Sequence, residues 1–218
     1  MSHSLLLSPA MASLFTRRRL VALASMMALA MASGCSILPN AEPLAVYQLP
    51  ATTGNSGAAT GSMRSLRVVT PQSSRVIDSD RILVLPKANL VQSYGAVRWS
   101  DPAPVLLRNR LLQAFAADGH IRYLSSDDSN VRVDQELGGT LRAFQSEYDN
   151  DLPVVHIVFD AQLIDSTTRR IVAARSFEAV QRATGTQISQ VVIAFGVAGD
   201  NLSSEVVAWL TGLPPTKP

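Results

Sequence analysis

Val155, Ile157, Phe159, Ala161 and Leu163 alternate with His156, Asp160 and Gln162, and no other stretch constrains the fold as tightly. A period of two places the two sets on opposite faces of a strand, one toward a core and one toward water. This run, 154–165, is the middle of three long extended runs, the others being 131–147 and 170–183. The polar residues 165–169 predict a hairpin joining the second and third. Such a meander needs cover for its apolar face.

Two segments supply that cover. Asp101-Pro102 opens one helix, with Asp101 as N-cap and Pro102 at the first helical position, where a missing N–H costs nothing. Leu107, Leu111 and Phe115 then repeat every four residues beside Leu112, and Gly119 suits the C-terminal cap. The other helix begins near Thr186. Its apolar face holds Ile188, Val191, Val192, Phe195, Leu202, Val206 and Trp209, with Gly196 and Gly199 as soft points and Pro214-Pro215 closing the fold. Shorter strands are expected at 44–49, 66–69, 81–85 (halted by Pro86) and 121–124, with a strand or hairpin over 90–99 around Gly95. The fold class is therefore α/β: a single domain in which helices cover a mixed sheet containing an antiparallel meander.

The amino terminus reads as an address. Arg17, Arg18 and Arg19 precede an apolar run over 20–31, and Ala32-Ser33-Gly34 leads into Cys35, the only cysteine of the chain. That order looks like a bacterial lipobox on a signal peptide covering 1–34. The Cys35 thiol would take a diacylglycerol, cleavage would follow Gly34, and the new amino terminus would be acylated, a palmitate-type lipidation. The apolar run is shorter than the roughly 20 residues of a spanning helix, and no later run is expected to reach that length. Met11 offers a second start codon. Residues 35–43 form a lipidated tether, whose eight residues after Cys35 reach at most about 28 Å. The domain occupies 44–214 and includes a Gly/Ser-rich loop at 51–65.

Removal of the signal changes the electrostatics. The whole chain carries 19 basic and 17 acidic residues. The signal takes three arginines and no acid, which leaves 16 against 17, a net charge of −1. A nucleic-acid binder would need a basic surface. Acylated Cys35 leaves no thiol for disulfide, redox or metal chemistry.

No catalytic constellation stands out. The G-x-S-x-G elbow, H-E-x-x-H and phosphate-binding glycine loops are missing. His156 lies on the polar face of its strand, where a rim position outweighs a catalytic base, and His120 follows Gly119 as a helix-end cation. Asp78-Ser79-Asp80, Asp127-Asp128 and Asp149-Asn150-Asp151 read as solvated turns, the last without the spacing of a calcium loop. Neither a cofactor nor a metal is expected. Trp99 can staple the first helix and Trp209 belongs to the core, while Leu90, Val91 and Tyr94 suggest edge packing.

These features, taken in order, resemble one family. Cys35 is followed by Tyr47-Gln48-Leu49, then Asp80-Arg81-Ile82. Next comes Val97-Arg98-Trp99-Ser100-Asp101-Pro102 leading into Leu106-Leu107, and finally Val191, Val192, Ala194, Phe195 and Trp209. Together they resemble the ABC-type transport auxiliary lipoprotein component family, which includes paraquat-inducible protein C-like lipoproteins. Arg98, Trp99, Asp101 and Pro102 form its most specific segment, structural or docking in role. The resemblance implies an α/β sandwich like the amino-terminal domain of the Tol-system periplasmic protein.

It also implies a non-enzymatic accessory role beside an ABC permease complex with an MCE-domain substrate-binding component, linked to phospholipid traffic between inner and outer membranes. A homo-oligomer is compatible with that role. Ser36 after the lipidated cysteine permits sorting to the outer membrane, where the body would face the periplasm; anchoring in the inner membrane is the alternative. Other readings are a structural envelope lipoprotein assisting assembly of an outer-membrane machine, a lipid shuttle holding an acyl chain between helix and sheet, and, last, an envelope hydrolase using His156.

Overall fold

One strand organises the sheet in the computed structural model, which describes residues 44–51 and 65–214. This strand, β8 (Gln135–Asp149), pairs along one edge with β9 (Leu152–Asp165), which in turn pairs with β10 (Ile171–Arg182), all antiparallel. Three short strands follow one another along its other edge, each parallel to it. They are β2 (Leu66–Val68), β3 (Gln72–Ser73) and β4 (Leu83–Lys87). Two further strands extend this side: β7 (Leu124–Ser126) pairs with β2 and β5 (Leu90–Ser93) with β4. A separate parallel pair joins β1 (Ala45–Tyr47) to β6 (Val97–Trp99).

Two helices, α1 (Ala103–Asp118) and α2 (Ile188–Thr211), complete a single α/β domain. The second packs on β9, β10 and α1, and the first also reaches β2 and β7. The face of β9 predicted to be apolar meets this layer: Val155, Ile157, Phe159, Ala161 and Leu163 are all buried. Leu107, Leu111 and Phe115 of α1 are fully buried in the same core, and Gly119 caps α1 in the left-handed conformation (φ 75°).

The pairing of β8 and β9 depends on two local irregularities. Arg142 has no partner in the register, because a bulge separates the Leu141–Phe159 and Ala143–Val158 pairs. Strict alternation would put Phe144 on the face opposite Leu141. The inserted residue restores both to the core. Gly139 has φ +136°, and a Cβ there would lie 1.9 Å from the Asp160 carbonyl oxygen. Only glycine fits at that crossing.

Several local expectations are corrected. Of the strand or hairpin expected over 90–99, strands form and the hairpin does not: β5 pairs back onto β4, and β6 crosses to β1, about fifty residues earlier in the chain. Pro86 lies inside β4 instead of ending it, at a position where the ladder to β8 has stopped at Leu85 and the ladder to β5 shifts register. No backbone donor is needed there. The α1 N-cap is Pro102, one residue beyond the expected Asp101, whose carboxylate instead accepts the Ser100 hydroxyl at 2.9 Å.

Gly196 is a contact and not a soft point, since a Cβ would come within 2.8 Å of the Pro50 carbonyl. The expectation that no later run reaches spanning length also fails. At 24 residues α2 is long and apolar enough to cross a bilayer, yet 61% of its most apolar window is buried in the fold. Its hydrophobicity serves the core.

Candidate functional site

The Arg98-to-Pro102 segment is where most of the domain converges. β6 brings Trp99 beside Tyr47 of β1. The Trp99 amide donates to Asp80 O at 2.7 Å, the Ser100 amide to Tyr47 O at 2.8 Å, and the Ala103 amide to Ser79 O at 3.3 Å. Pro102 O then accepts the amides of Val105 and Leu106 and so starts α1. The backbone of residues 99–103 thus ties β1, the lead into β4 and the first helix together.

Trp99 is 1% exposed and is the centre of an aromatic cluster. It meets Phe195 of α2 edge-on at 5.2 Å between centroids and Phe144 of β8 at 6.0 Å, and those two phenylalanines stack at 5.0 Å. Its place is the core, well beyond a staple on the first turn of α1. Arg98 points the other way and pairs with Asp80 at 3.4 Å, both side chains nearly half exposed. The segment is therefore an architectural junction carrying two solvent-facing charged groups, Arg98 and Asp101.

Two arginines that the sequence reading passed over anchor α1. Arg108 donates to Asp127 at 2.7 Å, to Asp128 at 3.1 Å and to the Thr70 hydroxyl at 3.2 Å. Burial works against its charge, but the two aspartates outweigh it and hold its pKa above the ordinary value. Burial likewise pushes the Asp127 carboxyl up, and the Thr70 amide and Arg108 pull it down further, so its pKa is lowered. Asp127-Asp128 is thus no simple solvated turn. Arg110, 5% exposed, pairs with Asp200 of α2 at 2.9 Å and donates to the carbonyls of Leu49 and Pro50. Burial lowers its pKa, and Asp200 offsets this only in part.

A groove of about 800 Å³ runs between α1 and α2 above that pair, lined by Arg110, Ala114, Ala117, Asp200, Ser203 and Ala208 among others. A position-by-position search for paired i, i+4 charges misses such a groove, because its polar groups come from helices far apart in sequence.

The remaining sequence candidates disperse. His156 faces Glu178 at 3.8 Å on the sheet face away from the helices, and His120 contacts Asp118 at 2.7 Å. Asp149 pairs with Arg182 across the β8–β10 end of the meander. Tyr94 packs against the core with its hydroxyl 3.0 Å from that of Ser146, whereas Leu90 and Val91 are exposed, so edge packing holds only for the tyrosine. Trp209 is partly buried against Phe177. Among the described residues no three His, Cys, Asp or Glu side chains gather around a common point. Cys35, Ser36 and residues 52–64 of the expected loop lie outside the described residues.

Fold and site together define a small mixed-sheet α/β domain in which the most distinctive sequence motif holds strands and helix together. The family model of the ABC-type transport auxiliary lipoprotein component matches residues 47–207, and the chain belongs to that family. Among solved structures, it is similar to the crystal structure of protein XCC0632 from Xanthomonas campestris, of the family model DUF330. The identity is 30%, with 76% of this chain and 93% of that one covered and a TM-score of 0.69. A second crystal structure, of an uncharacterized protein, matches at 16% identity over 78% and 99% of the two chains with a TM-score of 0.61 and shares the fold. No curated protein matches the chain. Family membership makes this a membrane-anchored lipoprotein that faces the periplasm and is auxiliary to an ABC-type transport system.

Proposed function

We propose that the protein is a non-enzymatic accessory component of an ABC transporter that works with an MCE-domain substrate-binding protein in moving phospholipid between the two membranes. The observation that carries this reading is the family match over 47–207, which runs from the last residue of β1 into α2 and includes the Arg98-to-Pro102 junction. The anchor is Cys35, and Ser36 behind it favours the outer membrane, with the domain held near the bilayer by the short tether. Docking would use the surface around Arg98 and Asp101, the motif residues that reach solvent. Their neighbours Trp99 and Pro102 keep that surface in place.

Affinity capture of the full-length lipoprotein in mild detergent tests the proposal. Recovery of an MCE-domain protein or an ABC permease component is the expected outcome, with reduced recovery from Arg98→Glu. Capture that returns neither component from intact envelopes overturns it.

A further inference from the structure

β10 forms one margin of the sheet. It spans 12 residues and pairs with β9 alone; among the described residues no strand meets its other side. The strands at the far margin, β5 and β7, have only 4 and 3 residues. The phase of the ladder identifies the backbone groups left over. The Ala183 amide donates to Pro153 O at 2.9 Å, continuing the register that sets Arg182 beside Val154. Odd-numbered residues from Ala173 to Ala183 therefore turn their amides and carbonyls toward β9. The even-numbered ones, Ala174 to Arg182, turn theirs outward.

Folded proteins blunt such an edge with lysine, proline or a bulge. β10 contains neither Lys nor Pro, and its bulge lies at the turn end, between Ile171 and Ala173. Val172 and Val180 are 41% and 52% exposed. Trp209 of α2, only partly buried, meets Phe177 edge-on in the middle of the same strand. Open backbone and incompletely covered apolar side chains thus coincide along one line.

This edge is complementary to itself. In antiparallel pairing about a two-fold axis, residues directly opposite each other share a face. With the axis at Phe177 the overlap runs from Val172 to Arg182, and each charged side chain faces an uncharged one: Arg175 faces Ala179, Glu178 faces Ser176 and Arg182 faces Val172. Val180 faces Ala174, and the Ala174–Val180 and Ser176–Glu178 pairs join backbone groups that turn outward. An axis at Arg175 or at Glu178 would set like charges face to face, which disfavours those registers.

We infer that β10 is a self-association edge, through which two copies of this chain join their sheets antiparallel about a two-fold axis at Phe177. Anchoring confines the copies to one membrane surface, and the raised effective concentration lets an interface of one strand suffice. The inference uses the membrane anchor and is independent of docking at Arg98.

Disulfide trapping of the full-length lipoprotein in phosphatidylethanolamine–phosphatidylglycerol vesicles tests it. Ser176→Cys and Glu178→Cys change exposed positions that the register sets directly opposite each other, at a separation a disulfide spans. Mixed together, the two variants should give a crosslinked dimer in clear excess over either alone. Val180→Lys, added to both, places a lysine on the edge and leaves the bonds to β9 in place. It should abolish the crosslink at an unchanged melting temperature, whereas Leu90→Lys on β5 should not. Absence of a crosslink in the mixture, equal yields from the mixture and the single variants, or a crosslink that survives Val180→Lys overturns the assignment. Trapping of a different protein by Glu178→Cys in intact envelopes, without the self-crosslink, overturns it as well and gives the edge to a foreign strand.

Discussion

The indole of Trp99 and the ring of Phe195 meet edge-on at 84° with centroids 5.2 Å apart, joining the end of β6, just ahead of the first helix, to the first third of the last helix. Because Phe144 of β8 completes the cluster, this contact ties both helices to the central strand. Trp99→Ala would open a large cavity there. A loss of about 3–5 kcal/mol is expected, seen as a melting temperature lower by on the order of 10 °C. Trp99→Phe should recover part of it.

Adjacent glycines in β8 should respond very differently. Gly139→Ala forces a methyl onto the Asp160 carbonyl at a positive φ, whereas a Cβ at Gly138 meets only Val69 Cβ at 3.6 Å. The first substitution should cost about 4 kcal/mol or more by chemical denaturation. The second should stay near the parent value.

Acid should loosen the loop that Arg108 holds. The Asp127 pKa is depressed below 3.8 in the folded chain, so the folded state releases this proton more readily than the unfolded one. Its contribution is in place above about pH 3.8 and is lost as pH falls through the lower folded value. Denaturant midpoints of the parent and Asp127→Asn should therefore differ at neutral pH and converge as the pH falls through the lowered folded value.

Alkali should act through Tyr94. Burial raises its pKa above 10.0, the Ser146 hydroxyl opposing in part and Tyr148 adding to the rise. A raised folded pKa means that the contribution is in place below about pH 10 and is lost as pH climbs through the folded value. Tyr94→Phe should flatten the decline of stability above about pH 10, measured by urea denaturation.

Cys35→Ala should release the protein from the membrane fraction. Without the thiol there is no site for the lipid, and α2, though apolar enough to span, is committed to the core. Fractionation should place the variant in the soluble periplasm. Retention in the membrane would mean that another element anchors the chain.

What could be read from sequence was what repeats locally. The alternation in β9 and the four-residue spacing of Leu107, Leu111 and Phe115 each reflect one face meeting one core, and both appear where expected. Strands over 90–99 could be read, but not the choice between strand and hairpin, because the partner of β6 is Ala45 to Tyr47 and no local signal encodes so distant a pairing. Arg108 and Arg110 carry no local sign of burial, lying beside the Leu107–Leu111–Phe115 stripe. Both are buried, since their acceptors come from the 127–128 turn and from α2. The bulge at Arg142 left a trace, Leu141 and Phe144 out of phase, that becomes legible only against the register of β9.

The way β2, β3 and β4 line up along β8 sets an order of events at birth. Each waits for a partner made some sixty residues or more later, and closing loops of that size delays productive pairing. The β8–β9–β10 meander and α2, by contrast, draw on neighbours in sequence and can assemble first. The amino-terminal half therefore emerges with unpaired strand edges and must be kept from aggregating until the carboxy-terminal half arrives. Truncation after α1 should accordingly give a chain that depends on chaperones or is degraded, even though it retains the Arg98-to-Pro102 junction.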